Sequence, residues 1–294
     1  MPQNDELKVI REPNVMIPMR DGVRLAADII RPEGSGRYPV LVIRGPYGKD
    51  SYLDNPDHSI RFFPKHGYVV VSQDCRARFE SEGDYYNPLF QEVNDGYDTV
   101  EWAARQPWSN GRVGTTGQSY LGAAQYTLAT SDPLPPHLQV MAPFSASADF
   151  HESWGYHTGG AMEWGWMVPY AIFKGRNTLE RLDREDLLAQ MDEYVLPTDN
   201  FAQPLKDEWF SHLPLKDWVE RLKEAAPYFG EYLENEGDGP YWRKINLLDH
   251  VESINLPMFH VSSWYDIFLE GALNAYQALR ERGGSELARQ NQKL

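Results

Sequence analysis

The feature that most constrains this chain is a strand-like segment that ends in glycine and serine and turns directly into a helix-like segment. Gly117 stands two residues before Ser119, and small, helix-compatible residues follow. This pattern predicts a nucleophile elbow, and glycine is needed at 117 because a side chain would collide with the turn. The second glycine of the common pattern is displaced by one position, since Leu121 takes its place and Gly122 follows. A strand-to-helix turn with an inert serine is the alternative.

The rest of the chain alternates strand and helix signals. Continuous apolar runs are typical of strands that are covered on both faces. Such strands alternating with helices predict an α/β fold with a doubly wound, mostly parallel sheet. The predicted strands are Tyr38–Ile43, Gly67–Ser72, Leu138–Ala142 and Pro257–Ser262, the predicted helices are Glu92–Gln106 and Tyr120–Thr130, and Asp21-Gly22 predicts a two-residue hairpin between Val15–Pro18 and Val23–Arg31.

One long segment interrupts this alternation. Residues 145–245 hold no convincing strand and carry six of the nine tryptophans. We therefore expect a discontinuous core formed by residues 1–144 and 246–294, with a helical cap, 145–245, inserted over the strand ends. The clearest helices predicted in the cap are Asp183–Tyr194 and Leu215–Ala226.

Composition excludes several classes of protein. The 294 residues are 41% hydrophobic and 13% aromatic, which is typical of a globular protein. A net charge of −15 argues against binding nucleic acid. The single cysteine, Cys75, cannot form an internal disulfide. The polar amino terminus and the lack of an apolar run of membrane-spanning length predict a soluble cytoplasmic protein without membrane contact.

Two further segments carry candidate chemistry. Asp266 follows the apolar strand 257–262, where a doubly wound hydrolase keeps the carboxylate that orients its histidine; a helix N-cap is an equally good interpretation. Tyr47 lies between Pro46 and Gly48 in the loop after strand 38–43. A loop at this place supplies one donor to an oxyanion hole, although Tyr47 is alternatively a plain turn aromatic.

The predicted cap is rich in aromatic residues. Trp166, Tyr170 and Phe173 have helical spacing, and Trp154 precedes them. Packing of a lid helix on its own core is the favoured interpretation for most of them. Any that faces inward would select an aromatic or bulky acyl group. The acidic and histidine residues near His151 have no recognised metal-ligand spacing, so we expect neither a metal nor a cofactor.

These motifs together resemble a known family, the CocE/NonD hydrolases, which include cocaine esterase, α-amino acid ester hydrolases and Xaa-Pro dipeptidyl peptidases. The motifs run in family order over almost the whole chain. They are residues 16–25, Gly45-Pro46-Tyr47, residues 74–83 and 95–98, Trp102 with Gln106-Pro107-Trp108, the elbow, and Trp264-Tyr265-Asp266.

The resemblance implies an α/β-hydrolase fold and a role for each motif residue. Ser119 would be the nucleophile that forms an acyl-enzyme, and Asp266 would orient the general base. The Tyr47 hydroxyl and the backbone N–H of Tyr120 would hold the oxyanion. Phe268 would contribute to the substrate pocket. The implied substrates are small esters or amides, or short peptides.

One departure concerns the histidine of the triad. In the family it follows the next strand after the aspartate, whereas none of the eight histidines here follows Asp266. His260 is expected to be a satisfied core residue, and His151 and His157 to line the pocket. The resemblance thus implies a chain that stops before the histidine and before a carboxy-terminal β-sandwich, with self-association through the surface left uncovered. The alternative function is an inactive hydrolase-like scaffold that binds a ligand or a partner protein.

Overall fold

The computed structural model describes residues 6–54, 59–157, 160–192, 207 and 210–294. The described residues form two compact units. The first contains the chain up to Gly83, Leu89–Asp149 and Lys244–Leu294, and the second contains Asp84–Pro88 with the described part of Phe150–Arg243. The division predicted from the sequence, with a cap over 145–245, did not include Asp84–Pro88 and stays a proposal.

The first unit is built on a six-stranded mixed sheet. The strands are β1 (Val9–Pro18), β2 (Arg24–Pro32), β3 (Tyr38–Gly45), β4 (Val69–Asp74), β5 (Ser109–Gln118) and β6 (Leu138–Phe144). Their order in the sheet is β1-β2-β4-β3-β5-β6; the pairs β1–β2 and β2–β4 are antiparallel, and the pairs β4–β3, β3–β5 and β5–β6 are parallel. This arrangement with flanking helices confirms the predicted α/β fold and its mostly parallel sheet.

The helices flank the sheet in the first unit and make up most of the second. The prediction of helix 92–106 is confirmed, and the helix ends at Ala104, shortly before Pro107. The helices are α1 (Lys49–Asp54), α2 (Phe62–Lys65), α3 (Glu92–Ala104), α4 (Tyr120–Leu128), α5 (Trp164–Arg181), α6 (Glu185–Asp192), α7 (Trp218–Leu222), α8 (Tyr228–Glu234), α9 (Pro240–Arg243), α10 (Leu269–Arg282) and α11 (Glu286–Gln290). No helix in these described stretches is both long and apolar enough to cross a bilayer.

The hairpin between β1 and β2 is confirmed with a longer turn than predicted. The backbone N–H of Met19 donates to the Val23 carbonyl at 2.8 Å, so three residues form the loop instead of two. Gly22 takes a φ of +89°, which a residue with a side chain would adopt only at a cost.

The segment predicted as strand 257–262 pairs with β6 through isolated bridges. Met258 and Val261 pair in parallel with Met141 and Phe144. The ladder is interrupted because β6 contains Pro143, which has no N–H to donate at its position. Lys293 pairs in turn with Phe259, on the other side of this segment.

The second unit differs in detail from the predicted cap. It contains one short hairpin, β7 (Tyr156–His157) with β8 (Ala161–Met162), where no strand was expected. The prediction of helix 183–194 is confirmed as α6 up to Asp192, and its last two residues lie outside the described part. Predicted helix 215–226 is a 3-10 turn followed by the five-residue α7. The regular helix ends at Leu222, and residues 223–225 form a turn before Pro227.

Candidate active site

Ser119 occupies a strained turn between β5 and α4. Its backbone has a φ of +60° and a ψ of −125°, outside the conformations that serine normally adopts. Its N–H donates to the Phe144 carbonyl at 2.9 Å. Its own carbonyl accepts from the N–H groups of Gly122 and Ala123, each at 2.9 Å. These bonds hold the backbone on both sides, and the half-buried serine lies at the amino end of α4.

The two glycines of the elbow are explained by what surrounds them. A Cβ on Gly117 would overlap the Leu121 side chain, and its φ of +147° also favours glycine. A Cβ on Gly122 would lie 2.7 Å from the Phe144 carbonyl oxygen and 2.8 Å from Ala146 Cβ. The second glycine is therefore needed at 122, the position at which α4 passes against the end of β6.

Tyr47 and Tyr120 are brought together. Their ring centroids are 6.3 Å apart in an edge-to-face arrangement. Tyr120 is buried, and its hydroxyl accepts from the Leu89 N–H at 2.8 Å while donating to Glu92 Oε1 at 3.1 Å. The first residue of α4 is thus anchored by its side chain. Tyr47 is half-buried in the loop that follows β3.

The loop that carries Tyr47 is held by the neighbouring strand β4. The Lys49 N–H donates to Asp74 Oδ1 at 2.6 Å, and the Cys75 N–H donates to the Gly45 carbonyl at 3.1 Å. The Lys49 ammonium lies 3.6 Å from Asp74 and 3.8 Å from Asp28, and all three side chains are buried. Burial raises the pKa of Asp74 to about 6. Sequence analysis gave these charged residues no role, although an aspartate closing a buried apolar strand is a signal of such a cluster.

A second buried cluster surrounds Arg44, near the end of β3. Its guanidinium pairs with Glu92, donates to Gln73 Oε1 at 2.6 Å and lies 4.0 Å from Asp95. Asp95 in turn accepts from Arg76 at 2.6 and 2.9 Å. Arg76 and Asp95 lie in two of the family motifs noted in the sequence, but sequence analysis assigned no role to any residue of this cluster.

Asp266 lies in the turn that precedes α10. Its Oδ1 accepts from the Phe268 N–H at 3.0 Å, and its Oδ2 accepts from Ser262 Oγ at 3.2 Å. The helix begins at Leu269, so the carboxylate closes a turn before the helix and is not its N-cap residue. Upstream of it, the Ser145 N–H donates to the Val261 carbonyl at 2.7 Å. Asp266 thus follows the segment that pairs with the end of β6, the same end to which Ser119 is hydrogen-bonded.

Trp154 and Trp166 belong to the second unit and pack within it. Trp154 is buried, with its ring centroid 5.6 Å from Phe150 and 6.0 Å from Tyr170. Trp166 lies 4.9 Å from Tyr170 in α5. These contacts agree with packing on a helical core, and a substrate-binding role for either tryptophan stays a prediction. Phe268, in the first unit, is half-buried directly before α10.

The histidines of the described chain are held by local partners. His260 is fully buried between the Tyr126 hydroxyl at 2.7 Å and Gln292 Oε1 at 3.1 Å, which confirms it as a satisfied core residue. Burial lowers its pKa to about 4. His151 is buried within the second unit, bonded to Glu152 and to the Glu236 carbonyl. The side chain of His157 lies outside the description. In the described ranges, no group of three or more histidine, cysteine, aspartate or glutamate side chains is arranged to hold a metal ion.

Known proteins share both the sequence and the fold. Cocaine esterase from Rhodococcus sp. (strain MB1 Bresler) is 31% identical over 288 residues, covering 93% of this chain and 47% of the esterase. An aminopeptidase from a marine sediment Thaumarchaeota archaeon superposes with a TM-score of 0.69 at 23% identity, covering 96% of this chain and 47% of its own. A CocE/NonD family hydrolase from Staphylococcus aureus gives a TM-score of 0.66 at 22% identity, covering 95% and 45%.

The match therefore extends over almost the entire chain, while the chain spans about half the length of these relatives. The sequence matches confirm the resemblance to CocE/NonD hydrolases expected from the motifs. The superposed structures confirm the α/β-hydrolase type of fold. The sequence profile described as "X-Pro dipeptidyl-peptidase (S15 family)" matches residues 21–292. By this match, which extends over most of the chain, the chain belongs to the X-Pro dipeptidyl-peptidase (S15) family.

Proposed function

We propose that this chain carries the nucleophile and the oxyanion donors of a serine hydrolase that cleaves esters or amides through an acyl-enzyme on Ser119. The observation that supports this most strongly is the positive φ of Ser119 between β5 and α4. Strain of this kind persists only where surrounding contacts impose it, and it concentrates at functional sites. Here a hydrogen bond to Phe144 and two from α4 impose it.

The proposed reaction uses three groups around one carbonyl. Ser119 Oγ bonds to the carbonyl carbon and gives up its proton to a general base, while the carbonyl electron pair moves onto oxygen. The Tyr47 hydroxyl and the Tyr120 N–H donate to this oxyanion, and the positive end of α4 adds to their effect. The tetrahedral intermediate collapses, the leaving group departs with a proton, and water then releases the acyl group from Ser119.

Asp266 is proposed to orient the general base. Its carboxylate is already fixed by Ser262 and by the Phe268 N–H, so it is held in one orientation. The resemblance assigns the base to a histidine that follows Asp266, and no histidine of this sequence lies there. A serine without an adjacent base is a weak nucleophile at neutral pH. A triad protein without one member retains about 10³–10⁴ of acceleration over water.

The proposed substrates are small acyl esters, amides or short peptides. This range combines the two bond types that these proteins cleave by name, since a dipeptidyl-peptidase cleaves a peptide amide and an esterase cleaves an ester. Trp154, Trp166 and Phe268 are the proposed substrate contacts. The net charge of −15 supports a small substrate over nucleic acid.

Labelling with a fluorophosphonate probe tests the proposal. Because no histidine of this sequence follows Asp266, we expect slow labelling of the purified chain, faster labelling when a second chain carrying the histidine segment of a relative is added, and no labelling of Ser119→Ala. Tyr47→Phe should slow labelling by about 10²–10³-fold, the usual effect of removing one oxyanion donor. Tyr68→Phe, which removes the hydroxyl of a partly exposed tyrosine before β4, is the matched control and should label at the wild-type rate. Labelling that persists in Ser119→Ala contradicts the proposal. No labelling of the wild-type chain, with none restored by the second chain, favours the inactive scaffold.

A further inference from the structure

We propose that Glu92 is a positioning residue for the oxyanion hole, because one buried carboxylate joins the two segments that carry its donors. The inference rests on the proposed function, in which those donors are the Tyr47 hydroxyl and the Tyr120 N–H. Glu92 is the first residue of α3 and touches neither proposed reacting atom in this scheme. It acts through the Tyr120 hydroxyl on one side and through Arg44 on the other.

The first connection fixes the start of α4. Glu92 Oε1 accepts from the Tyr120 hydroxyl at 3.1 Å, and the same hydroxyl accepts from the Leu89 N–H at 2.8 Å. Both hydrogen bonds are made by the hydroxyl, so they fix the far end of the tyrosine ring. Because Tyr120 directly follows Ser119, a movement of its ring displaces the N–H that is proposed to face the oxyanion.

The second connection fixes the strand that leads to Tyr47. Glu92 Oε2 pairs with Arg44 Nη1, and Arg44 stands three residues before Tyr47. Arg44 is further held by Gln73 at 2.6 Å, so the guanidinium has little freedom to turn. Tyr47 in turn contacts Tyr120 edge-to-face at a centroid distance of 6.3 Å, so the two segments held by Glu92 also contact each other directly.

Burial increases the effect that losing the Glu92 charge would have on its neighbours. Glu92 is 2% exposed and Arg44 is 6% exposed. When one member of a buried ion pair is removed, an uncompensated charge remains and its surroundings rearrange. Neutralising Glu92 therefore disturbs both donors at once, whereas a surface ion pair would transmit almost nothing.

Asp95 provides a matched control on the same helix. It is 1% exposed and lies 4.0 Å from Arg44, so it is buried in the same cluster. Its two oxygens accept from Arg76 instead, at 2.6 and 2.9 Å. Asp95→Asn thus removes a buried charge of the same kind while leaving the bond from Tyr120 to Glu92 in place.

The test compares Glu92→Gln with Asp95→Asn by two readouts. In hydrogen exchange measured by mass spectrometry, peptides covering 117–124 should exchange at least about tenfold faster in Glu92→Gln and at the wild-type rate in Asp95→Asn. Fluorophosphonate labelling of Ser119 should slow about tenfold in Glu92→Gln, less than the ~10²–10³-fold for outright loss of a donor. Equal exchange in the two variants would overturn the inference.

A double-variant cycle separates positioning from general stabilisation. Tyr120→Phe keeps the ring and the backbone N–H but removes the hydroxyl that Glu92 holds. If Glu92 fixes the start of α4 through that hydroxyl, adding Glu92→Gln to Tyr120→Phe should change exchange of the 117–124 peptides by less than about twofold, and full additivity refutes it. Labelling should still slow in the double variant, because the connection through Arg44 is lost as well. If the wild-type chain is not labelled even with the histidine segment added, the proposed function fails, and the exchange measurements still decide whether Glu92 positions the elbow.

Discussion

Replacing Gly122 with alanine should push the start of α4 away from the end of β6. The added Cβ would lie 2.7 Å from the Phe144 carbonyl oxygen, 2.8 Å from Ala146 Cβ and 3.1 Å from the Phe144 backbone nitrogen. That carbonyl also accepts the hydrogen bond from the Ser119 N–H. The methyl group can be accommodated only if α4 moves away from β6, which lengthens the bond that holds the nucleophile.

The change in the free energy of unfolding caused by Gly122→Ala is the steric penalty minus the gain in helix propensity. Overpacking of this kind costs about 1–3 kcal/mol. Exchanging glycine for alanine in a helix returns about 0.4–1 kcal/mol where the backbone permits it. Gly165→Ala measures the gain alone, since nothing lies within 4 Å of a Cβ at that position in α5. In urea unfolding, Gly122→Ala should be less stable than Gly165→Ala by about 1–3 kcal/mol.

The same displacement of α4 should also slow the reaction of Ser119. A misplacement of about 1 Å can cost about 10²-fold in rate, so a shift of a few tenths of an ångström should slow labelling of Ser119 by roughly tenfold. Gly122→Ser and Gly122→Val extend the series, and the loss should grow with side-chain size. A Gly122→Ala protein with wild-type stability and labelling would refute this account of why the glycine stands at 122.

Stability should depend on pH in opposite senses through His260 and Asp74. Burial lowers the pKa of His260 from 6.5 to about 4, so about 3 kcal/mol of stability is present above pH 6.5 and lost as the pH falls toward 4. Burial raises the pKa of Asp74 from 3.8 to about 6, so a contribution of about 3 kcal/mol is present at low pH and lost as the pH rises through 6. In urea unfolding between pH 4 and 6.5, His260→Gln should lose stability with rising pH and Asp74→Asn should gain it; parallel profiles would contradict both assignments. Trp264 and Tyr265 are 87% and 99% exposed beside Asp266, so changing both to serine should lower self-association in analytical ultracentrifugation. The control Leu213→Ser, at a leucine that is 73% exposed in the second unit, should not, and a wild-type chain that is already monomeric would argue against this surface.

Local sequence was sufficient where one segment fixes its own geometry. The elbow could be predicted because Gly117 and Ser119 encode a turn that few other residues permit. Strands β3 and β4 could be predicted because a continuous apolar run cannot remain exposed. The 257–262 segment was placed correctly but forms only bridges, because the deciding residue, Pro143, lies in its partner strand. The predicted 215–226 helix was too long, since its first residues form a 3-10 turn and the regular helix ends at Leu222.

The amino-acid sequence by itself determined the α/β fold, its family and the turn that presents Ser119, since each depends on short motifs and their order. Only the tertiary structure decided that Tyr47 contacts Tyr120, that Gly122 lies against β6, and that Glu92 bonds both Tyr120 and Arg44. Glu92 and Tyr120 are 28 positions apart in the sequence, and Tyr47 and Tyr120 are 73 positions apart. Local sequence patterns do not report contacts at such separations. From the sequence alone, the Glu92 carboxylate would be expected to lie in solvent. Its partners Tyr120 and Arg44 are distant in sequence, so only the folded structure shows that the three side chains meet.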